Sequence, residues 1–218
     1  MKLLYRDEHL AVVDKPSGLL VHRGWGDDER VALTEARDLL GAYLYPVHRL
    51  DRGTSGALAF ALTEAAASAL HRAFEGGGVE KRYLALVRGV APAEGLVDHP
   101  IPRREGGPRV PARTAFRLVG ASPVERCSLV EARPETGRLH QVRRHLKHLN
   151  HPVLGDANYG KGALNRHYRD AFGLARLALH AASIAFAHPL TGAPLFVEAP
   201  VPPDLAGPLA ALGLGCFV

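Results

Sequence analysis

His48-Arg49-Leu50-Asp51-Arg52-Gly53-Thr54-Ser55-Gly56, running directly into the apolar stretch Ala57 to Leu62, is the segment whose reading decides the fold. Pro46 lies just upstream, and Gly53 and Gly56 frame a Thr-Ser pair, so the segment reads as a loop feeding a strand. Loops carried on a rigid element are where reactive side chains concentrate. Asp51 is therefore a candidate catalytic acid. Arg49 and Arg52 flank it, and a nearby cation favours the charged form of a carboxylate. The same two arginines suit phosphate. Taken alone, an Arg-Leu-Asp-Arg string is better read as a turn with two solvated arginines.

Outward from this segment, strands are predicted near 2–5, 10–14, 82–88, 114–118, 127–133, 180–187 and 194–198. Lys15-Pro16-Ser17-Gly18 predicts a turn. Asp27 and Asp28 can cap a helix through about Leu40, with Gly41 as its stop. Thr63 can cap a second helix, whose Ala66, Leu70 and Phe74 recur at helical spacing before Gly76-Gly77-Gly78 ends it. Strands outnumber helices and do not alternate with them, which predicts an α+β fold with a mixed, mostly antiparallel sheet flanked by a few helices. The Gly- and Pro-containing stretch from Ala91 to Pro111 reads as a long connection. A chain of 218 residues with 47% hydrophobic content can bury a sizeable core. It reads as one domain, 1–218.

The formal charge is +5, carried by 22 arginines and 5 lysines against 22 acids. Arginine's planar fork suits phosphate and base stacking better than lysine's point charge, so an anionic partner is expected. Arginines cluster at Arg103, Arg104, Arg109, Arg113 and Arg117, then at Arg138, Arg143 and Arg144 with Lys147. Seen alone, such runs are more often a solvated face than a footprint. Cys127 and Cys216 are the only cysteines and lack the spacing of a zinc site or a disulfide framework. Charge appears too early at the N-terminus for a signal peptide, and no run approaches a membrane span, so a cytoplasmic protein is expected. His140, His145, His148 and His151 invite a metal reading. Interleaved cations and the lack of a carboxylate or cysteine to complete a first shell argue against it. Neither Lys-Pro-Ser-Gly nor Gly-Gly-Gly has the spacing of a nucleotide loop. The expectation is no metal and no cofactor.

A second segment changes the odds for Asp51: Thr136-Gly137-Arg138-Leu139-His140-Gln141-Val142-Arg143-Arg144-His145-Leu146, followed by Gly155-Asp156 and Tyr159-Gly160. With Lys81-Arg82-Tyr83 and the Asp51 loop, it resembles, in order and residue type, the pseudouridine synthases that act on ribosomal and transfer RNA. The resemblance runs from Tyr5 to about Pro200. It implies the pseudouridine synthase catalytic fold, an RNA substrate and no cofactor. The reaction it implies breaks the N1–C1′ bond of a uridine within RNA, rotates the uracil and joins C5 to C1′. Such an isomerisation needs one anionic group near the ribose and a closed slot for the base.

By resemblance Asp51 is that anion, acting either on C1′ directly or through a glycal formed by loss of the C2′ proton; both routes stay open. Arg143 corresponds to the arginine paired with the catalytic aspartate, and Tyr83 to the tyrosine that packs on the target base. Arg49 corresponds to the arginine that displaces the target nucleotide. Arg52 and Arg138 are candidate phosphate contacts. Leu129 is a candidate for the apolar wall of the uracil slot and equally reads as plain core. Leu20-Val21-His22-Arg23-Gly24-Trp25, the Arg143–Pro152 run and Asn165-Arg166 resemble the branch that modifies a uridine in the T stem of tRNA, with ribosomal RNA and a catalytically silent RNA-binding domain as the alternatives. The stretch between Tyr83 and Thr136 is shorter than that branch leads one to expect. No appended N-terminal RNA-binding domain and no obligate protein partner are expected.

Overall fold

The computed structural model describes residues 1–22, 30–102 and 106–217. Along the chain run β1 (Lys2–Arg6), β2 (Leu10–Lys15), α1 (Ala32–Leu40), β3 (Tyr45–Pro46), β4 (Ser55–Ala61), α2 (Glu64–Glu75) and β5 (Val79–Arg88). Then come β6 (Glu94–Asp98), β7 (Ile101–Pro102), β8 (Arg109–Val110), β9 (Arg113–Ala121), β10 (Cys127–Pro134), α3 (Gln141–His148) and α4 (Gly162–Phe172). The chain finishes with β11 (Leu179–Ala187), β12 (Pro194–Glu198), α5 (Pro203–Ala211) and a 3-10 turn, Gly215–Phe217. These elements form two compact units, Met1–Lys81 with Ala181–Pro200, and Arg82–His180 with Val201–Val218. Neither is a continuous stretch of chain.

In the first unit β1, β2 and β4 pair antiparallel, with Leu10 opposite Ala61 and Val13 opposite Leu58, and β12 pairs antiparallel with β11. Every residue of β4 is buried, the apolar run having become a central strand. Ala57, Ala59 and Ala61 face the same core as Ala66, Ala67 and Leu70 of α2. Small residues on both surfaces let helix and sheet approach closely, and burying Leu70 completely stabilises by about 2 kcal/mol. The Thr63 side chain accepts from the Ala66 amide at 3.3 Å, satisfying one of the orphan donors of the helix start. At the entry to β4, Gly56 has φ +113° and a Cβ there would collide with the Ala181 backbone, so only glycine fits.

In the second unit the order is β5, β10, β9, β6, again antiparallel, with Tyr83 opposite Ala132 and Glu131 between Leu84 and Arg117. Between Leu129 and Val130 the register with β9 shifts by one residue, leaving Val119 of β9 unpaired in the ladder. The α3 helix is tied to β9 by side chains: Gln141 Nε2 donates to the Arg113 carbonyl at 2.8 Å and to Thr114 Oγ1 at 3.0 Å. His145 Nδ1 lies 2.8 Å from the same hydroxyl and its Nε2 2.9 Å from the His99 carbonyl.

The α+β reading, the strands listed from the sequence and the Thr63-capped helix all stand. The first predicted helix ends at Gly41, in the left-handed conformation (φ +61°), but it begins only at Ala32: Val31, its N-cap, is extended and bridged to Leu20, so the helix does not start at the predicted caps Asp27 and Asp28, which lie outside the described residues, as do Arg23-Gly24-Trp25, Arg103 and Arg104. The stretch from Ala91 to Pro111 needs correction, because it carries β6 and the antiparallel pair β7 and β8. Only Val97 of β6 is buried, and pairing with β9 rather than an apolar pattern makes it a strand. α4 leaves little apolar periodicity in the sequence, because Tyr168 is its only buried residue. α5 hides behind Pro203 at its start and Pro208 inside it, although Leu205 and Leu209 form a buried i, i+4 pair. No described helix is long and apolar enough to cross a membrane.

Candidate active site

The first unit presents Asp51. Its loop is held at both ends by the protein's own backbone. Upstream, His48 Nε2 accepts from the Ala59 amide at 2.9 Å, and its ring stacks on Phe74 with centroids 4.6 Å apart. Burial, with Lys81 adding its charge, pushes the His48 pKa down to about 3, in keeping with a ring nitrogen that must stay unprotonated to accept. Leu50 is buried, which fixes the residue next to Asp51 in the core. Downstream, the Asp51 carbonyl accepts from the Thr54 amide at 3.0 Å and the Arg52 carbonyl from the Gly18 amide at 2.8 Å. Ser17 Oγ donates to the Gly53 carbonyl at 2.8 Å. The ammonium of Lys15, completely buried, bonds the Pro16 and Leu19 carbonyls and reaches that of Arg52 at 3.3 Å. The Lys-Pro-Ser-Gly turn thus serves as the floor of the Asp51 loop. Asp51 itself is half-buried, while Arg49 and Arg52 are exposed beside it.

The second unit presents Arg143, Tyr83, Arg138 and Leu129. Gln141 organises the approach to α3: its Oε1 accepts from Thr136 Oγ1 at 2.7 Å and from the Arg138 amide at 3.0 Å. His140, just before the helix, is left-handed at φ 53°. Arg143 Nε and Nη2 make a two-bond contact with Asp156, at 2.7 and 2.8 Å, and both side chains are buried. The Arg143 guanidinium carbon also lies 5.0 Å from the centre of the Tyr159 ring. Burial on its own would raise the Asp156 pKa; the Arg143 bonds and charge, with the Tyr159 and Asn158 amides, overcome it and hold the carboxyl below its usual range. Arg144 Nε donates to the Tyr159 hydroxyl at 2.7 Å, and His140 Nδ1 lies 3.0 Å from the same oxygen. Tyr83 is half-buried on β5. Arg138 is exposed, its Nε donating to the Pro111 carbonyl at 3.2 Å. Leu129 is buried opposite Leu86 of β5 and Gly120 of β9.

The basic clusters turn out to be internally partnered in several places. Glu131, buried on β10, receives Arg117 through two bonds of 2.9 and 2.8 Å and Arg133 at 2.9 Å, with Arg82 at 3.5 Å. Arg113 faces Asp98 and Glu135. Arg109 leans on His99 and the Pro100 carbonyl. Of the four histidines weighed as metal ligands, His140, His145 and His151 hydrogen-bond locally and His148 stacks on His99. In the sequence Asp156 and Tyr159 are part of the second motif and carry no role of their own. The available signal was an acid between two turn glycines, Gly155 and Gly160, downstream of an arginine-rich helix.

The sequence pattern of the RNA pseudouridylate synthase family matches residues 9–148. The chain is 41% identical over 212 residues to tRNA pseudouridine synthase C of Pasteurella multocida (strain Pm70), covering 88% of this chain and 87% of that one. It is 37% identical over 234 residues to the protein of that name from Vibrio cholerae serotype O1, covering 98% and 96%. With the Pectobacterium carotovorum subsp. carotovorum protein of the same name, identity is 39% over 91% of this chain, which spans 58% of that relative. Among solved structures, human RNA pseudouridylate synthase domain containing 4 superposes with a TM-score of 0.78 at 28% identity, over 97% of this chain and 93% of that one. Human RNA pseudouridylate synthase domain containing 1 gives 0.77 at 30% identity, over 94% and 85%. Matched by that pattern over residues 9–148 and by relatives at 37 to 41% identity over most of its length, this chain belongs to the RNA pseudouridylate synthase family, isomerases that convert uridine in RNA to pseudouridine.

Proposed function

We propose that this chain isomerises one uridine in the T stem of tRNA, acting in the cytoplasm as a single catalytic domain over residues 1–218 and without a cofactor or protein partner. The observation that carries this reading is the identity of 37 to 41% with relatives named tRNA pseudouridine synthase C, two of which match over most of both chains. Asp51 is the reacting anion, and the backbone anchors on either side of it favour a fixed approach to the ribose. Arg143 supplies the cation of the reaction, and Tyr83 packs on the uracil. Arg49, exposed at the loop, displaces the nucleotide, at a cost of a few kcal/mol in unstacking. Arg52 and Arg138 take phosphates, and Leu129 backs the base.

Affinity then comes chiefly from phosphates and the shape of a folded stem. The test is to incubate purified protein with unmodified tRNA, a T-arm hairpin, an unstructured strand of the same sequence and ribosomal RNA, and to map pseudouridine at nucleotide resolution. A single T-stem product in folded tRNA, with binding that falls steeply as salt rises, supports the reading. Modification of ribosomal RNA alone, or equal reaction of the unstructured strand, overturns it.

A further inference from the structure

Gly155-Asp156-Ala157-Asn158-Tyr159-Gly160 is a short turn with more hydrogen bonds than its own folding needs. Gly155 sits at φ +74°, and a Cβ there would run into the Arg176 carbonyl; at Gly160 one would run into the Asp156 carbonyl. Both positions therefore demand glycine. Within the turn, Asp156 Oδ1 accepts from the Asn158 and Tyr159 amides at 2.9 and 3.0 Å, which fixes the carboxylate to its own backbone. From α4, Asn165 clamps the outside: its Oδ1 accepts from the Gly155 amide at 3.1 Å and its Nδ2 donates to the Asp156 carbonyl at 2.9 Å. The carboxylate so held takes Arg143 by the Nε and Nη2 edge, and the Tyr159 ring lies near the same guanidinium. A planar fork held by one edge has its orientation and rotamer set.

We infer that Asp156 is a positioning residue for the isomerisation, aiming the Arg143 guanidinium, and that Asn165 supports it from α4 by holding the turn. This rests on the reading of Arg143 as the cation of the reaction. A fixed guanidinium needs little reorganisation as charge shifts in the reaction, which is where a preorganised cation has its largest effect. Were the turn only a structural clip, α4 and α3 would be joined equally well by an apolar contact. A buried ion pair is a poor way to gain stability alone, since desolvation offsets much of its attraction. The arrangement is better explained by the direction it imposes on Arg143.

The experiment is a rate cycle on the full chain with unmodified tRNA: Asp156→Asn, Arg143→Met, the double variant and Asn165→Ala, each with kcat, KM and thermal unfolding measured. Asp156→Asn keeps the shape and loses the charge, and is expected to lower kcat by about tenfold or more with KM changed by less than about threefold. In the double variant, kcat is expected to match that of Arg143→Met alone, because no guanidinium is left to aim. Asn165→Ala, which retains both charged partners and a good helix former, is expected to lower kcat by a smaller factor and serves if Asp156→Asn fails to fold. Losses that multiply in the double variant, or a kcat unchanged in both Asp156→Asn and Asn165→Ala while Arg143→Met is impaired, overturn the positioning role and leave the reading of Arg143 intact. An unimpaired Arg143→Met overturns both.

Discussion

The Asp51 loop and the Arg143 helix are assembled by opposite means. Around Asp51 the anchors are mostly backbone groups: carbonyls of Asp51, Arg52 and Gly53 take bonds from Thr54, Gly18, Lys15 and Ser17, and the flanking arginines are exposed. Around Arg143 the anchors are side chains, a buried carboxylate and an aromatic ring, in a second unit of the fold. A backbone-anchored loop can exchange the side chain it presents with little harm to the fold. A buried ion pair cannot lose one partner without leaving the other uncompensated. Chemistry and stability should therefore separate at Asp51 and move together at Arg143.

The sharpest way to break that contrast is Asp51→Asn. Turnover is expected to fall to below roughly a thousandth of the wild-type rate, with RNA affinity within about twofold and the melting temperature nearly unchanged. Substantial turnover by this variant would remove Asp51 from the reaction, and a large loss of stability would remove the contrast.

Arg143→Met comes next. Thermal or denaturant unfolding should show a loss of about 3 kcal/mol at neutral pH, because Asp156 is left buried and unpaired. The pair's contribution depends on pH with a definite sign. The folded Asp156 pKa lies below its unfolded value, so the stabilisation is complete above the ordinary carboxylate range and fades as pH falls through the lowered folded value. The gap between wild type and Arg143→Met should accordingly narrow in acid; a gap that stays constant would mean that the loss comes from packing rather than charge.

The smallest effect is expected from Ser17→Ala, which removes one hydroxyl bond to the Gly53 carbonyl. It should cost about 1 kcal/mol, a shift of about 2–4 °C in melting temperature for a chain of this size. A rate loss as large as that of Arg143→Met would instead show that a single side chain sets the geometry of the Asp51 loop.

Which of these features could be read in advance follows from how local their causes are. Glycine and proline punctuation around Asp51, the all-apolar run behind it and the Thr63 cap act within a few residues, so the loop, β4 and α2 were legible from the chain alone. The same holds for family membership, since residue types and spacings are properties of the sequence. Tertiary structure alone decided that Ala91–Pro111 would contain strands, because β6 buries little of its own and gains its conformation by pairing with β9. It also decided the partners of the arginines. Arg117 and Arg133 are exposed, yet both are bound to the buried Glu131, from β9 and β10. A guanidinium bonds whichever carboxylate the fold brings within about 3 Å, and residues 13 apart, such as Arg143 and Asp156, meet only because a glycine turn clamped by Asn165 returns the chain to the helix.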